Sequence, residues 1–166
     1  MEQELLEVKV MGIVVDSKSS NPVVVLVDLN GKKALPIWIG VFEAEAISRG
    51  LEEVVTLRPM THDLLKQILD TLHASLLRVV INDIKENTFY AKLHFLSEGK
   101  ELVVDSRPSD AIALAVRVKA PIFIANRVIE ATKHLGLLAT RFLEEQDELK
   151  TIIENMNPED FGEYKM

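Results

Sequence analysis

The sequence predicts a single α+β domain, a mixed, largely antiparallel curved sheet with helices packed on it. Three observations carry this expectation. Phe89, Ala91, Leu93 and Phe95 alternate with Tyr90, Lys92 and His94, the period of a strand with one buried face. Asn30-Gly31 lies between two apolar runs, and a two-residue type I′ turn favours such a pair because both central residues need positive φ. Leu64, Leu65, Ile68, Leu69 and Leu72 recur at the spacing of one helix face.

The elements follow in order. Leu5–Val15 opens with alternating Leu6, Val8 and Val10 and reads as a half-buried strand. Val23–Val27 is a β-branched run, expected to be buried on both faces. Lys33–Ile39 is its return strand, and Pro36 assigns it to an edge or a bulge because proline cannot donate to the ladder. Val41–Leu51 is a helix with Glu43 in its first turn and Gly50 near its end. Glu52–Arg58 is an extended connection. Thr61–Ser75 is the next helix, with Thr61 as expected N-cap and Asp63 at the second helical position.

Leu77–Ile84 and Thr88–Leu96 are strands, and Gly99 turns the chain into a strand over Glu101–Asp105. Pro108 suits the first position of a buried helix running to Val118. Pro121–Ala125 is a short strand and Arg127–His134 a short helix. Leu138, Phe142, Leu149, Ile152, Ile153 and Met156 continue at loose helical spacing, as in a helix that covers a neighbour or a second subunit. Asn157-Pro158 is expected to end it and the last residues to fray. The division is therefore 1–135 as the α+β domain and 136–166 as an acidic C-terminal helical extension. A hairpin followed by a helix occurs twice, around Asn30-Gly31-Lys32 and around Glu98-Gly99-Lys100.

The 166 residues suit one domain. Cysteine is absent, which excludes disulfides, thiolate nucleophiles and Cys-based zinc sites. No apolar run reaches the roughly 18–20 residues that span a bilayer, and the acidic start Glu2-Gln3-Glu4 is unlike a signal peptide, so a cytoplasmic protein without membrane partners is expected. The net charge of −7 argues against broad coating of DNA. It leaves open an enzyme with a local anion or metal site.

Chemistry concentrates at two Arg-Pro helix starts. In Arg58-Pro59-Met60-Thr61-His62-Asp63, helix N–H groups and Arg58 can hold an anion, His62 can move a proton and Asp63 can bind metal. In Asp105-Ser106-Arg107-Pro108-Ser109-Asp110, Asp105 and Asp110 can share Mg²⁺ or Mn²⁺ beside the Arg107 guanidinium. Glu43 can join from a third helix start. The competing account is purely structural: Ser106 or Ser109 caps a helix, and Arg107 pairs with Asp105 or Glu43. No His pair has zinc spacing, and no Gly-rich phosphate loop or nucleophile elbow occurs. Trp38, Phe42 and Phe89 sit in apolar patterns and read as core rather than base-stacking platforms.

Leu35-Pro36-Ile37-Trp38-Ile39-Gly40, Glu43-Ala44, Arg58-Pro59-Met60-Thr61-His62-Asp63-Leu64-Leu65, Thr88-Phe89-Tyr90-Ala91 and Asp105-Ser106-Arg107-Pro108-Ser109-Asp110-Ala111-Ile112-Ala113-Leu114-Ala115 resemble the bifunctional nuclease domain family. The likeness runs from about Glu7 to about Glu130. It implies a phosphodiesterase acting on RNA, DNA or both. The residues carried across are Glu43, Arg58, Thr61, His62, Asp63, Asp105, Arg107, Ser109 and Asp110.

Assigned roles are then as follows. Glu43, Asp105 and Asp110 hold a divalent ion, Arg58, Thr61, Arg107 and Ser109 bind the substrate phosphate, and His62 and Asp63 join Arg58, Arg107 and Asp110 in catalysis. A homo-oligomer, most simply a dimer, is expected. The alternative is a non-catalytic binding or assembly module whose Arg-Pro clusters are structural or hold a small anion.

Overall fold

A computed structural model describes residues 4–155. Its strands are β1 (Leu5–Val15), β2 (Pro22–Asp28), β3 (Ala34–Trp38), β4 (Ser75–Lys85), β5 (Thr88–Ser97), β6 (Lys100–Ser106) and β7 (Ile122–Ala125). Its helices are α1 (Val41–Leu51), α2 (Thr61–Thr71), α3 (Pro108–Val118), α4 (Asn126–Ala131) and α5 (Lys133–Asn155). The strands form one sheet in the order β3-β2-β1-β7-β4-β5-β6. Every neighbouring pair is antiparallel except β4 with β7, so the expected α+β class with a mixed, largely antiparallel sheet is the one observed.

The two hairpin–helix units stand at opposite ends of this sheet. β2–β3 forms one end and leads into α1, and β5–β6 forms the other and leads into α3. Both helices return over the same face, where Ile47 of α1 and Ile112 of α3 join one core with Leu26, Ile37, Ile81 and Leu93. Pro36 lies on the edge strand β3, where its missing N–H leaves no gap in an interior ladder.

β2 is buried along its whole length because both of its faces are covered. Val24 and Leu26 face the α1–α3 core, whereas Val23, Val25 and Val27 join Val14 and Ala139 in a second cluster, with Phe142 against it. Ala139 and Phe142 belong to α5, so this helix covers the second face of the β1–β2 end. Met156 and Asn157-Pro158, expected at the end of this helix, lie outside the described residues.

The turn chemistry differs from expectation. Asn30-Gly31 does not form a two-residue turn: five residues separate β2 from β3, and only Gly31 has positive φ there. The buried carboxylate of Asp28 explains the longer loop, because its Oδ1 accepts the N–H groups of Lys32 at 2.6 Å and Lys33 at 2.8 Å. Two-residue turns with both central φ positive occur instead at Glu86-Asn87 and Glu98-Gly99.

The aromatic expectation also needs correction. Phe42 is 83% exposed and Trp38 36% exposed, so neither is a core residue. Trp38 is the last residue of β3 and Phe42 lies in the first turn of α1.

Candidate functional site

Three helix starts meet on the α1–α3 face. The N-terminus of α3 is central, with α1 on one side and α2 on the other. Arg107, the N-cap of α3, donates from Nε to Asp110 Oδ2 at 2.8 Å and from Nη2 to Asp110 Oδ1 at 3.1 Å. Its Nη1 donates to Glu43 Oε1 of α1 at 3.1 Å. From α2, His62 Nε2 lies 3.0 Å from Asp110 Oδ1. Asp110 thereby joins a forked guanidinium to an imidazole. Of the Arg and Asp residues of the two Arg-Pro junctions, Arg107 and Asp110 come together here, with Glu43 and His62 beside them.

Local backbone accounts for each position. Pro108 occupies the first turn of α3, where no N–H partner is lost, and leaves Asp110 in that turn to face the positive end of the helix dipole. Gly40 precedes α1 and allows Glu43 to fold back. A Cβ at Gly40 would sit 2.1 Å from Glu43 Oε2. The N-cap of α2 is Met60, not Thr61, so Thr61 is the first helical residue and Asp63 the third. Asp63 Oδ2 accepts the Met60 N–H at 3.0 Å, as the returning acid of a capping box does. The serine capping expected in α3 is absent as well. Ser106 Oγ donates to the Arg107 carbonyl, and no side chain caps the helix.

Asp63 takes a structural position beside the cluster. Its Oδ1 accepts Arg117 Nε at 2.7 Å, and Arg117 Nη1 donates to the carbonyls of Ala46 and Ala113, each at 2.8 Å. Arg117 is only 7% exposed and ties α1, α2 and α3 together. Sequence reasoning missed it. The available signal was the seven-residue interval from Asp110, which places both on one stripe of α3. The contact needs close helices, and Gly50 supplies the room: a Cβ there would lie 2.6 Å from Val116 Cγ2 and 2.7 Å from Arg117 Nη1.

Arg58 and Asp105 are not brought into the cluster. Arg58 is exposed in the connection before α2, where its carbonyl accepts Thr56 Oγ1. Asp105 is exposed and sits opposite Lys92 in the β5–β6 register. Ala91 and Leu93, which flank Lys92, face the helices. Asp105 therefore projects from the other face of the sheet, away from Asp110.

The electrostatics follow from these contacts. Burial raises the Asp110 carboxyl, but the hydrogen bonds from Arg107 and His62 outweigh it and hold the group below its ordinary 3.8. Asp63 is likewise pushed up by burial and brought below 3.8 by Arg117 and the Met60 N–H. Arg107 is raised above its ordinary value, first by Asp110 and then by Glu43. All three are ionised at neutral pH.

Arg107 and Glu43 stand between two clefts. One, of about 330 Å³, is lined by Phe42, Glu45, Met60, Thr61, His62, Asp110 and Arg117 together with that pair. The other, of about 500 Å³, is lined by Asn21, Trp38, Ile39, Gly40, Asn87, Phe89 and Ser109 together with the same pair. Arg107 is 64% exposed, and its three bonds leave two guanidinium N–H donors uncommitted among the described residues.

Residues 24–135 match the family model of the bifunctional nuclease domain, a span holding all three helix starts. The chain belongs to that family. It is 38% identical over 165 residues to an uncharacterized protein of Mycobacterium tuberculosis, covering 93% of this chain and 97% of the relative. It is 24% identical over 116 residues to bifunctional nuclease 1 of Oryza sativa and to a bifunctional nuclease of Oryza minuta. Those alignments cover 68% of this chain and 35% of each rice protein.

Among the described residues no group of three or more His, Asp or Glu side chains is arranged to hold an ion. Both oxygens of Asp110 and one of Glu43 already face Arg107 or His62. Asp105 lies on the other face, so the expected trio of Glu43, Asp105 and Asp110 does not form one ligand set.

No helix among the described residues is long and apolar enough to cross a membrane.

Proposed function

We propose that this chain is a phosphodiesterase acting on nucleic acid, with His62, Asp110 and Arg107 at its centre. The supporting observation is the His62–Asp110–Arg107 relay lining one cleft, with Arg107 shared by a second, in a chain whose family includes rice proteins named as nucleases. Arg107 offers its uncommitted donors to the phosphate oxygens and stabilises the charge that grows on them. Asp110 fixes the His62 ring through Nε2, which leaves Nδ1 to take a proton from the nucleophile or give one to the leaving oxygen. Thr61 and Ser109 line the two clefts and flank the phosphate.

The test compares wild type with His62→Ala and Asp110→Asn on labelled RNA and DNA, each with EDTA and with Mn²⁺. Loss of cleavage in both variants supports the assignment. Equal trace activity in all three preparations identifies a contaminant and sinks it.

A binding module is the second reading, favoured by one observation: Arg107 is already held by Asp110 and Glu43, as in a structural ion-pair network. Nucleic acid bound without turnover would select it.

A homodimer is proposed as the assembly. Leu64, Leu65 and Ile68 of α2 and its C-cap Leu72 are exposed, as are Leu102, Val103 and Val104 of β6. β6 is a sheet edge with unpaired backbone groups. A second copy would cover both, and the measurement is mass in solution for wild type and Val103→Lys. A monomeric wild type would reject the dimer.

A further inference from the structure

The larger cleft is unlike its neighbour. It is lined by the aromatic residues Trp38 and Phe89, the apolar Ile39, two amide-bearing residues, Asn21 and Asn87, and Ser109. It contains no acid apart from Glu43, which is already engaged by Arg107. A volume of about 500 Å³ lies within the range of small-ligand sites, roughly 300–1,000 Å³.

Its walls are held in place. Trp38 donates from Nε1 to Asp16 Oδ2 at 3.1 Å and meets Phe142 edge to face, with centroids 6.4 Å apart. Asn87 sits in the two-residue β4–β5 turn with φ of 61°, a left-handed conformation that asparagine tolerates better than most residues. Trp38 is thus already held when a ligand arrives, so less entropy is lost on its wall.

We propose that this cleft is a nucleobase subsite, and that the substrate is therefore single-stranded. The inference rests on the phosphodiesterase reading for the position of the phosphate at Arg107. A planar, heteroatom-edged ring matches the lining: aromatic faces accept its π-surface and amides pair with its donor and acceptor edge. Bases in a duplex turn their faces to each other, so this lining reaches only an unstacked base. The shared Arg107–Glu43 divider gives the substrate a direction, with one nucleotide's base on the Trp38–Asn87 side and the bond to the next nucleotide on the His62 side.

Trp38 is the chain's single tryptophan, which makes its fluorescence a direct report on this wall. The full chain is titrated with a phosphorothioate-linked single-stranded trinucleotide, the same sequence as a duplex, adenosine monophosphate and ribose 5-phosphate. Saturable quenching by the trinucleotide and the mononucleotide, with none from ribose 5-phosphate and much weaker binding of the duplex, is the expected result. Asn87→Gly suits the left-handed turn and removes only the amide, and Asn21→Ala removes the other. Each should weaken trinucleotide binding by roughly three- to tenfold, the scale of one lost hydrogen bond.

Absence of quenching by any single-stranded probe, equal quenching by ribose 5-phosphate, or unchanged affinity in both amide variants overturns the subsite. Cleavage without quenching removes the subsite and leaves the phosphodiesterase reading standing. Quenching without cleavage does the reverse.

Discussion

His62 Nε2 lies 3.0 Å from Asp110 Oδ1, although 48 positions separate the two residues in the chain. The contact joins the first turn of α2 to the first turn of α3 and gives the imidazole one fixed orientation. Asp110 Oδ2 is meanwhile taken by Arg107. One carboxylate therefore orients both the His62 imidazole and the Arg107 guanidinium.

The first prediction follows from that shared carboxylate. Asp110→Asn releases the His62 ring and removes the charge that Arg107 grips. Cleavage should fall at least about 10²-fold, the lower end of what a positioned acid or base contributes. His62→Ala should fall by a similar factor, and the double variant should fall little further, because the two residues act as a unit. Initial rates on a single-stranded substrate measure this. Additive losses would show that the residues act independently.

Gly40→Ala separates the Arg107–Glu43 pair from folding. Its φ of −79° suits any residue, so the backbone accepts alanine. The new Cβ meets only the end of the flexible Glu43 carboxylate, which must swing away. The thermal midpoint should stay close to wild type while substrate affinity changes. A large loss of stability would show that Glu43 holds α1 rather than Arg107.

How much of this was legible beforehand depended on range. Strand and helix positions followed local periodicity, and α1, α3 and β1 coincide with the expected spans. The three helix starts were legible as chemistry because proline, acid and arginine cluster there in sequence. Their partners were not. Arg117 reads as an ordinary charge late in a helix until Gly50 brings α1 against it. Asp105 read as a partner of Asp110 by proximity in sequence, but strand alternation turns it to the other face. Asn30-Gly31 carried the best local turn signal, yet the Asp28 carboxylate built a longer loop there. Only Arg117 needed a tertiary contact to become visible; Asp105 and Asn30-Gly31 were decided locally, by strand alternation and by the nearby Asp28 carboxylate.

The metal question has a direct measurement. If His62 and Arg107 carry the reaction, EDTA should leave the rate unchanged and Mn²⁺ should not raise the melting temperature. A midpoint that climbs with Mn²⁺ concentration would report an ion bound to the native state. It would return Glu43 and Asp110 to the role of ligands.

Gly50→Ala tests the packing that the site stands on. Its Cβ would enter the space of Val116 and Arg117, both closer than ordinary contact. The buried Arg117 cannot withdraw without releasing Asp63, Ala46 or Ala113. A loss of about 1–3 kcal/mol is expected from overpacking, read by chemical denaturation. The same change in the opposite sense, the usual gain when alanine replaces glycine within a helix, would mean that α1 and α3 can move apart freely.

Acid stability tests the Asp63–Arg117 tie. Asp63 has its folded value held below 3.8, so its contribution to stability is complete above about pH 4 and is lost as pH falls through the depressed value. Asp110 is lowered as well and acts in the same window. Thermal midpoints measured from pH 6 down to pH 2 should therefore drop most steeply below pH 4. In Asp63→Asn the plateau should be lower, because Arg117 loses its charged partner, and the acid decline should be shallower, because one linked proton is gone. The plateau loss should stay below the roughly 3–5 kcal/mol of a fully buried pair, since the Asp63 side chain is 31% exposed. An unchanged slope in Asp63→Asn would assign the acid limb to Asp110 and to carboxylates outside the helix layer.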